Sequence, residues 1–282
     1  MIVIDALLLL IALGATAAPA DTIVELRRGD RVVIENLSGE ISVVTWDRDF
    51  LEVRGEDRDD ALVARRSGSS VRIVRDDTRR RRRSVEVSIR VPAWVDLEIS
   101  GLSLELTVRG VNGKLRVGNV SGDIRIEDVG GPVDVRSVEG EIDVVNARAG
   151  VRATSQSDDV TLRRVSGPID VHSGSGDILL DDVRSESVRA ETQDGDIAFS
   201  GTIADRGEYG FYVHDGDAII AVPAGINARV SVSTFDAEFE SEFPVIVEHF
   251  TGGREFEFIL GDGSARLRIE VFDGEIRLLQ RR

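Results

Sequence analysis

Five acidic side chains recur at one position of a short repeated phrase in the middle of the chain. The phrase reads Gly-Asp-Ile at residues 122–124, and the acids at its second position are Asp123, Glu141, Asp159, Asp177 and Asp196. Carboxylate oxygens are ligands that Ca²⁺ prefers, so this row could form weak calcium sites. Aspartate in a tight turn also accepts a backbone N–H, and this capping role is the interpretation that we favour.

The row departs from the calcium-binding nonapeptide of β-rolls, Gly-Gly-x-Gly-x-Asp, because each unit supplies one acid and usually one glycine. The three histidines, His172, His214 and His249, lie far apart in the repeat order. A zinc site would need several such ligands to converge. The acids are also spread evenly, whereas a glycosidase pairs two carboxylates at one place. We therefore predict no catalytic residue, no cofactor and no metal site beyond the weak calcium candidates.

A run of five arginines, Arg79, Arg80, Arg81, Arg82 and Arg83, stands out in a chain whose formal net charge is −16. It lies between two predicted strands, 71–74 and 85–91, which is typical of a solvated hairpin loop. Clustered guanidinium groups could instead contact an anionic partner such as lipopolysaccharide, teichoic acid or phospholipid headgroups. The acidic balance of the remaining surface predicts that the protein does not bind nucleic acid.

Strands and turns of a regular array must position these side chains. From Gly113 onward a glycine-led phrase returns about every nine residues, and each copy opens a run with alternate apolar residues, such as Ile124 and Ile126. Alternation with period two indicates a half-buried strand, and a fixed short period indicates an array. No amphipathic helix of useful length is found. The fold class that follows is all-β, a solenoid-like stack of strand-and-turn units.

Two kinds of unit alternate, so two units make one coil of 18 residues, sometimes 19. Residues one coil apart are then expected to stack at roughly 4.8 Å. In that register Asp134, Arg152, Asp170 and Arg189 form an outward column with alternating charge, which cross-strand pairing favours. A second column holds hydroxyls that we expect to share hydrogen bonds with their neighbours: Ser137, Ser155, Ser173 and Thr192.

The ends of the chain suggest export and a three-part organisation. Residues 1–20 combine a short apolar run with small residues in an A-x-A pattern, which predicts a cleaved secretory signal. The run is too short to span a bilayer, so no integral span is expected in the mature chain. We divide the rest into an N-terminal β flank (21–100), a regular repeat core (101–201) and a C-terminal β flank continuous with the core (202–282). Whether the flanks extend the solenoid or fold back as a sandwich stays open.

Several motifs together resemble a bacterial β-strand-repeat family that is labelled "putative adhesin" and is a domain of unknown function. They are the phrase at 121–124 and its copies, the opening at 36–41, the strand at 43–47 and the Val91-Pro92 hinge. The resemblance covers nearly all of residues 22–280. It implies an envelope-associated, solenoid-like β protein, and it carries over no catalytic or binding residue.

These observations favour a non-catalytic exported envelope protein that binds through a charged β-solenoid face. Its expected partner is an envelope polymer, a membrane surface or an envelope protein, in the periplasm, on the cell surface or outside the cell. Two alternatives stay open, a structural self-assembling β module and a polysaccharide lyase or hydrolase on a β-helix.

Overall fold

A computed structural model describes residues 22–55, 62–75, 84–245, 249–251 and 255–281. The predicted signal segment and the arginine run Arg79–Arg83 lie outside these residues. Regular structure within the described ranges is entirely β, in twenty-one strands. The all-β prediction is thus confirmed, and in this part of the chain no helix is long and apolar enough to cross a membrane.

The strands vary in length because some of them bend and continue across a corner of the coil. The N-terminal strands are β1 (Thr22–Glu25), β2 (Arg31–Trp46), β3 (Phe50–Gly55), β4 (Leu62–Ser67), β5 (Ser70–Arg75), β6 (Val85–Pro92) and β7 (Asp96–Arg109). The middle strands are β8 (Leu115–Gly118), β9 (Ile124–Val129), β10 (Val133–Arg136), β11 (Ile142–Ala147), β12 (Val151–Ser155), β13 (Val160–Arg163) and β14 (Ile169–Ser175). The C-terminal strands are β15 (Ile178–Asp194), β16 (Ile197–Asp215), β17 (Ala218–Pro223), β18 (Ala228–Ser241), β19 (His249–Thr251), β20 (Glu255–Leu260) and β21 (Ala265–Arg281).

Parallel pairing in the middle of the chain builds a two-faced solenoid. One face, which we call face A, stacks β8, β10, β12 and β14, and the other, face B, stacks β9, β11 and β13. Partners lie 18 residues apart, as in Val133 with Val151 and Ile142 with Val160. The predicted 18-residue coil and solenoid-like fold are therefore confirmed.

The alternating apolar residues of both faces point into one continuous core. Buried side chains from Leu26 near one end to Leu278 near the other belong to a single cluster. Each coil therefore buries its apolar side chains against the coils above and below, which is how a solenoid stabilises units that have no core of their own.

Both flanks extend the solenoid, but in an order that differs from the order of the sequence. At the C-terminal end β21 lies between β16 and β17 on one side and β18 on the other, with parallel pairing to all three. At the N-terminal end β2 lies between β7 and the pair β5 and β6, again in parallel. A long strand from near each end of the chain is thus enclosed on both sides.

Antiparallel strands form the outermost rungs. β4 pairs with β5, β3 with β6 and β1 with β3 at one end, and β20 pairs with β18 and β19 with β20 at the other. A parallel stack would otherwise end in an edge that can template further pairing, and a turned-back strand occupies that edge. The sequence left open whether the flanks extend the solenoid or fold back as a sandwich. In the structure they continue the solenoid and fold back only at its ends.

Glycine recurs at the corner where the chain passes from face A to face B, which we call corner 1. Gly140, Gly195, Gly216 and Gly274 have φ values of +115° to +139°. A Cβ atom on Gly195 would lie 2.6 Å from the carbonyl oxygen of Gly176, and one on Gly274 would lie 2.1 Å from that of Gly216. The coils approach each other too closely at these glycines for a side chain, whereas Asp158, at the same position of one coil, does not have a positive φ.

The opposite corner uses left-handed residues that are not glycine. Asp128, Asn146, Arg164 and Asp182 have φ values of +51° to +59° and follow one another at 18-residue intervals. Asn146 Nδ2 donates to Asp128 Oδ1 over 2.8 Å, and Arg164 Nε donates to Asn146 Oδ1 over 2.7 Å. These bonds between coils offset part of the strain that a left-handed conformation imposes on residues with a side chain.

Replacing Gly195 by alanine is expected to lower the free energy of unfolding by at least about 2 kcal/mol, because both the positive φ and the neighbouring carbonyl oppose a Cβ. Gly118 is the matched control, since a Cβ there would meet no atom within 4 Å. Urea unfolding of Gly195→Ala and Gly118→Ala measures both changes. Equal stability of the two variants would contradict the close-approach argument.

A buried carboxylate anchors the turn before β2. Asp30 is 6% exposed, and its Oδ2 accepts hydrogen bonds from the Arg27 N–H at 2.8 Å and from Arg66 Nη1 at 2.9 Å. Burial by itself would raise the pKa of Asp30. The hydrogen bonds and the positive charge of Arg66 outweigh that effect and hold the pKa below its ordinary value of 3.8.

Because this pKa is lowered on folding, the stabilisation by Asp30 is complete above pH 3.8 and is lost as the pH falls through the lower folded value. We expect Asp30→Asn to cost about 1–3 kcal/mol at neutral pH, since a buried donor loses its charged partner. The deficit should shrink steadily in acid. Unfolding curves from pH 7 to pH 2 test this, with the exposed Asp47→Asn as control, and a deficit that does not change with pH would refute it.

Candidate binding surface

An alternating column of charge runs along the outside of face A. Paired positions place Asp134 beside Arg152, Arg152 beside Asp170, and Asp170 beside Arg189, as predicted. The column also extends toward the N-terminus through Arg116 and Glu98. Six successive strands therefore present charges of alternating sign at the strand spacing of about 4.8 Å.

Ion pairs hold this column in place. Arg152 Nε lies 3.0 Å from Asp170 Oδ2, and the Arg136 guanidinium lies 3.3 Å from Asp134. His172 stands between two carboxylates, with Nε2 2.9 Å from Asp170 and Nδ1 3.4 Å from Glu191. Exposed pairs of this kind contribute little stability each, so their main effect is to fix the pattern of charge that the face presents.

A second column, entirely acidic, follows corner 1 where face B begins. It contains the five acids singled out in the sequence and extends through six more in both directions. In spatial order its members are Glu86, Glu40, Glu105, Asp123, Glu141, Asp159, Asp177, Asp196, Asp217, Glu275 and Glu238.

Aspartates of this column bond to the backbone of the next coil. Asp123 accepts the N–H of Glu141 at 3.0 Å, Asp159 accepts that of Asp177 at 2.8 Å, and Asp177 accepts that of Asp196 at 2.9 Å. Asp196 and Asp217 continue the chain of bonds. These five aspartates accept a backbone N–H, but of the following coil and not of their own turn as the favoured interpretation expected, so the bonds join successive coils. In the described residues no group of three or more His, Asp or Glu is arranged to hold a metal ion, and weak calcium binding by this column stays a prediction.

The buried hydroxyl column lies in the predicted register, but its hydrogen bonds differ from the expectation. Ser155 pairs with Ser173, and Ser173 with Thr192. Ser137 Oγ donates to the carbonyl of Glu139, Ser155 Oγ accepts the N–H of Asp158, and Thr192 Oγ1 donates to the carbonyl of Gly176. Three of the four hydroxyls thus bond to the backbone of corner 1, whereas the buried Ser173 Oγ has no hydrogen-bond partner among the described residues.

An open groove of about 730 Å³ lies at corner 1 near the C-terminal end of face A. Its floor is formed by Thr192, Val213, Val271 and Thr234, and it crosses β15, β16, β21, β18 and β20. One wall is aromatic: Phe272 stacks on Phe235 with ring centroids 4.6 Å apart and lies 4.8 Å from His214. The opposite wall carries Glu191, Tyr212, Glu270, Ser233 and Glu255.

Tyr212 contacts an arginine beside this groove, on the side away from corner 1. The Arg189 guanidinium lies over the Tyr212 ring at 4.5 Å from its centroid and donates to Glu191 at 2.8 Å. The bond to Glu191 raises the pKa of Arg189 above its ordinary value. The ring lies across Gly210, where a Cβ would come within 2.8 Å of Tyr212 Cε2, so the absence of a side chain at that position makes room for it.

Sequence reasoning did not find the groove, because its walls come from strands whose spatial order is not their order in the chain. Phe272 and Phe235 become neighbours only when β21 lies between β16 and β18. The sequence did place His214 outside the regular core, and the structure brings it to Phe272. The predicted contact Arg79–Arg83 lies outside the described residues and stays a prediction.

The groove and half of the charged column fall within a segment that matches a known family. Residues 151–279 match the Toastrack DUF4097 family. The resemblance to a β-strand-repeat family of unknown function is thereby confirmed, on slightly less than half of the chain. No curated protein matches the sequence.

Solved structures with a similar fold share little sequence with this chain. They are a "putative adhesin" from Bacteroides fragilis (14% identity, 92% of this chain and 96% of that chain, TM-score 0.43) and a "putative lipid binding protein" from Parabacteroides distasonis (14%, 95% and 98%, TM-score 0.41). A "putative cell adhesion protein" from Clostridium sporogenes is also similar (8%, 94% and 100%, TM-score 0.28). At TM-scores below 0.5, nothing about the ligand of this chain follows from these names.

The charged column predicts a reversal experiment. Arg152→Asp would place three acids in a row at positions 134, 152 and 170, and should destabilise the protein by about 1 kcal/mol. Adding both Asp170→Arg and Arg189→Asp makes the contacts 152–170 and 170–189 opposite in charge again and leaves one like-charged contact, so the triple variant should recover part of the loss. Thermal unfolding at low and at high salt measures both changes, and a triple variant less stable than the single one would contradict the alternating column.

Proposed function

We propose that the protein is an exported, non-catalytic binding or scaffold protein of the cell envelope, which acts through the charged outer side of face A. The observation that carries this proposal is the alternating column from Glu98 to Arg189, in which six consecutive strands present fixed charges at a constant spacing. A regular lattice of charge suits a partner that itself repeats, such as an envelope polymer or an array of headgroups.

The distribution of the acids favours binding over catalysis. The acids of corner 1 occur once per coil, and five of them accept a backbone N–H of the following coil. The face A acids Asp134 and Asp170 are engaged by arginines. These acids are spaced evenly and bond to the backbone or to arginines. They therefore do not form the isolated acid and base pair that a hydrolase uses.

Export is part of the proposal and is supported by the signal-like residues 1–20. A cysteine-free solenoid derives its stability from stacking between coils, so it does not depend on the redox state of the compartment. The periplasm, the cell surface and the extracellular space all satisfy this proposal.

Co-sedimentation with envelope fractions of the source bacterium tests the proposal. The protein starting at residue 21 should sediment with the envelope, and Arg152→Ser combined with Arg189→Ser should reduce binding by at least about fivefold, since two of the three column cations are lost. Arg125→Ser combined with Arg163→Ser on face B is the matched control and should bind like the wild type. A further arm replaces Arg79–Arg83 by serine.

Failure of the wild-type protein to sediment would overturn binding to an insoluble envelope partner. Equal losses in the face A and face B variants would show that the pattern of face A does not matter. The enzyme alternative has its own assay, in which release of product from acidic polysaccharides, abolished by Asp170→Asn or Asp177→Asn, would replace the proposal.

A further inference from the structure

We propose that a slot beside the charged column of face A binds one sugar ring that carries a carboxylate, as in a uronic acid residue of an acidic polysaccharide. The inference rests on the proposed function, because the slot belongs to the surface proposed there, and it names the class of polymer. The slot has a volume of about 260 Å³ and lies where the strands of face A begin, at the corner opposite corner 1. Its lining includes Lys114, Pro132, Asp134, Gly150, Arg152 and Pro168.

Two proline rings form the walls of the slot. Pro132 precedes β10 and Pro168 precedes β14, and Gly150 lies between them at the same position before β12. The prolines are therefore two strand spacings apart, about 9.6 Å. A saturated ring at the level of Gly150 would lie about 4.8 Å from each wall, which is close to the contact distance of carbon atoms once the pucker of the rings is included.

Bare backbone forms the floor of the slot. Gly150 has a φ of +93°, and a Cβ atom there would lie 2.6 Å from the carbonyl oxygen of Pro168. The coils on either side carry Lys114 and Ser187 at this position, so the slot ends after one coil in each direction. It therefore admits a single ring.

Lys114 supplies a positive charge at one end of the slot. It is the only lysine in the sequence, and within the described ranges no ion pair engages its ammonium group. The acids of the slot are already paired, since Asp170 lies 3.0 Å from Arg152 and Asp134 lies 3.3 Å from Arg136. The slot thus has one uncompensated positive charge in a chain whose net charge is −16, and this charge selects a ligand with one anionic group.

The two carboxylates of the slot can accept hydroxyl groups. Asp134 receives one long hydrogen bond, 3.5 Å from Arg136, and its Oδ1 has no hydrogen-bond partner in the described part of the chain. Asp170 accepts from Arg152 Nε at 3.0 Å and, as an ionised carboxylate, keeps lone pairs for further donors. An anion without hydroxyl groups has nothing to donate to these acids. A sugar ring with a carboxylate donates through its hydroxyls and pairs with Lys114 through its charge.

The polymer can continue from the slot along the charged column. Arg116 lies beside Asp134 on the neighbouring strand and, like Lys114, has no ion pair among the residues that the structure describes. Cations of the column alternate with acids, so they recur every two strands, about 9.6 Å. Repeated carboxylates on one polymer therefore meet repeated cations on face A.

The amine of Lys114 can be observed selectively, because the chain has no other lysine. Reductive methylation with ¹³C-formaldehyde labels Lys114 and the N-terminal amine and keeps both charges. Trigalacturonate should shift the NMR signal of Lys114 and leave the N-terminal signal unchanged. Its fully methyl-esterified form keeps the rings and loses the charge, so it should bind at least about tenfold more weakly.

Three variants separate the charge from the walls, with calorimetry as the measurement. Lys114→Gln should weaken the binding of trigalacturonate about tenfold, because a charge-assisted contact is lost. Arg266→Gln removes the same charge from an exposed site on β21 and should bind like the wild type. Pro168→Ser removes one wall and introduces the residue that the next coil has there, Ser187, so it should fold normally and weaken binding at least about threefold.

No binding of trigalacturonate at about 10 mM, tenfold above the Kd of a millimolar complex, would overturn the proposal. So would equal binding of the methyl ester, or binding that leaves the Lys114 signal unmoved. Inorganic phosphate that shifts this signal as strongly at the same concentration would show a site that recognises any anion and does not recognise the ring. Sedimentation of the protein with envelope fractions, in spite of any of these results, would leave the proposed function intact and refute only the uronic acid ligand.

Discussion

The close approach of successive coils at corner 1 is the constraint on which the rest of the structure depends. With no side chain at Gly140, Gly195, Gly216 and Gly274, the backbone of each coil can lie almost against the glycine of the coil before it. That contact fixes the rise from coil to coil and the register of both faces. Apolar columns then fall inside and charged columns outside, because a one-residue slip would exchange the two.

Much of this architecture could be predicted from the sequence, since the signals are local and repeated. The spacing of glycine, the alternation of apolar residues and the sign pattern of Asp134, Arg152, Asp170 and Arg189 all report the same 18-residue coil. The left-handed corner between face B and face A was harder to predict from the sequence. Asp128 and Asn146 are residues that accept a left-handed conformation, but Arg164 in the same column is not, so no single residue type marks the position.

What the sequence could not supply is long-range order. No local pattern indicates that β21 lies between β17 and β18, or that β2 lies between β7 and the pair β5 and β6. The spatial order of these strands depends on which strand edges remain unpaired when the rest of the chain has folded. The groove follows from that order, and so do the contacts of Phe272. The candidate binding surface was therefore predictable where it follows the repeat, as in the charged column, and unpredictable where the spatial order of strands departs from it.

The enclosed position of β21 also bears on how the molecule can be made. Strand β18 leaves the ribosome well before β21, which must lie between it and strands β16 and β17, so β18 has no parallel partner while the chain is still growing. The middle coils, whose partners are neighbours in sequence, face no such delay. Docking of β18 and β20 therefore waits for the end of synthesis. A premature stop before residue 265 removes the central rung of that end, so truncated products would expose their edges and be cleared by proteolysis.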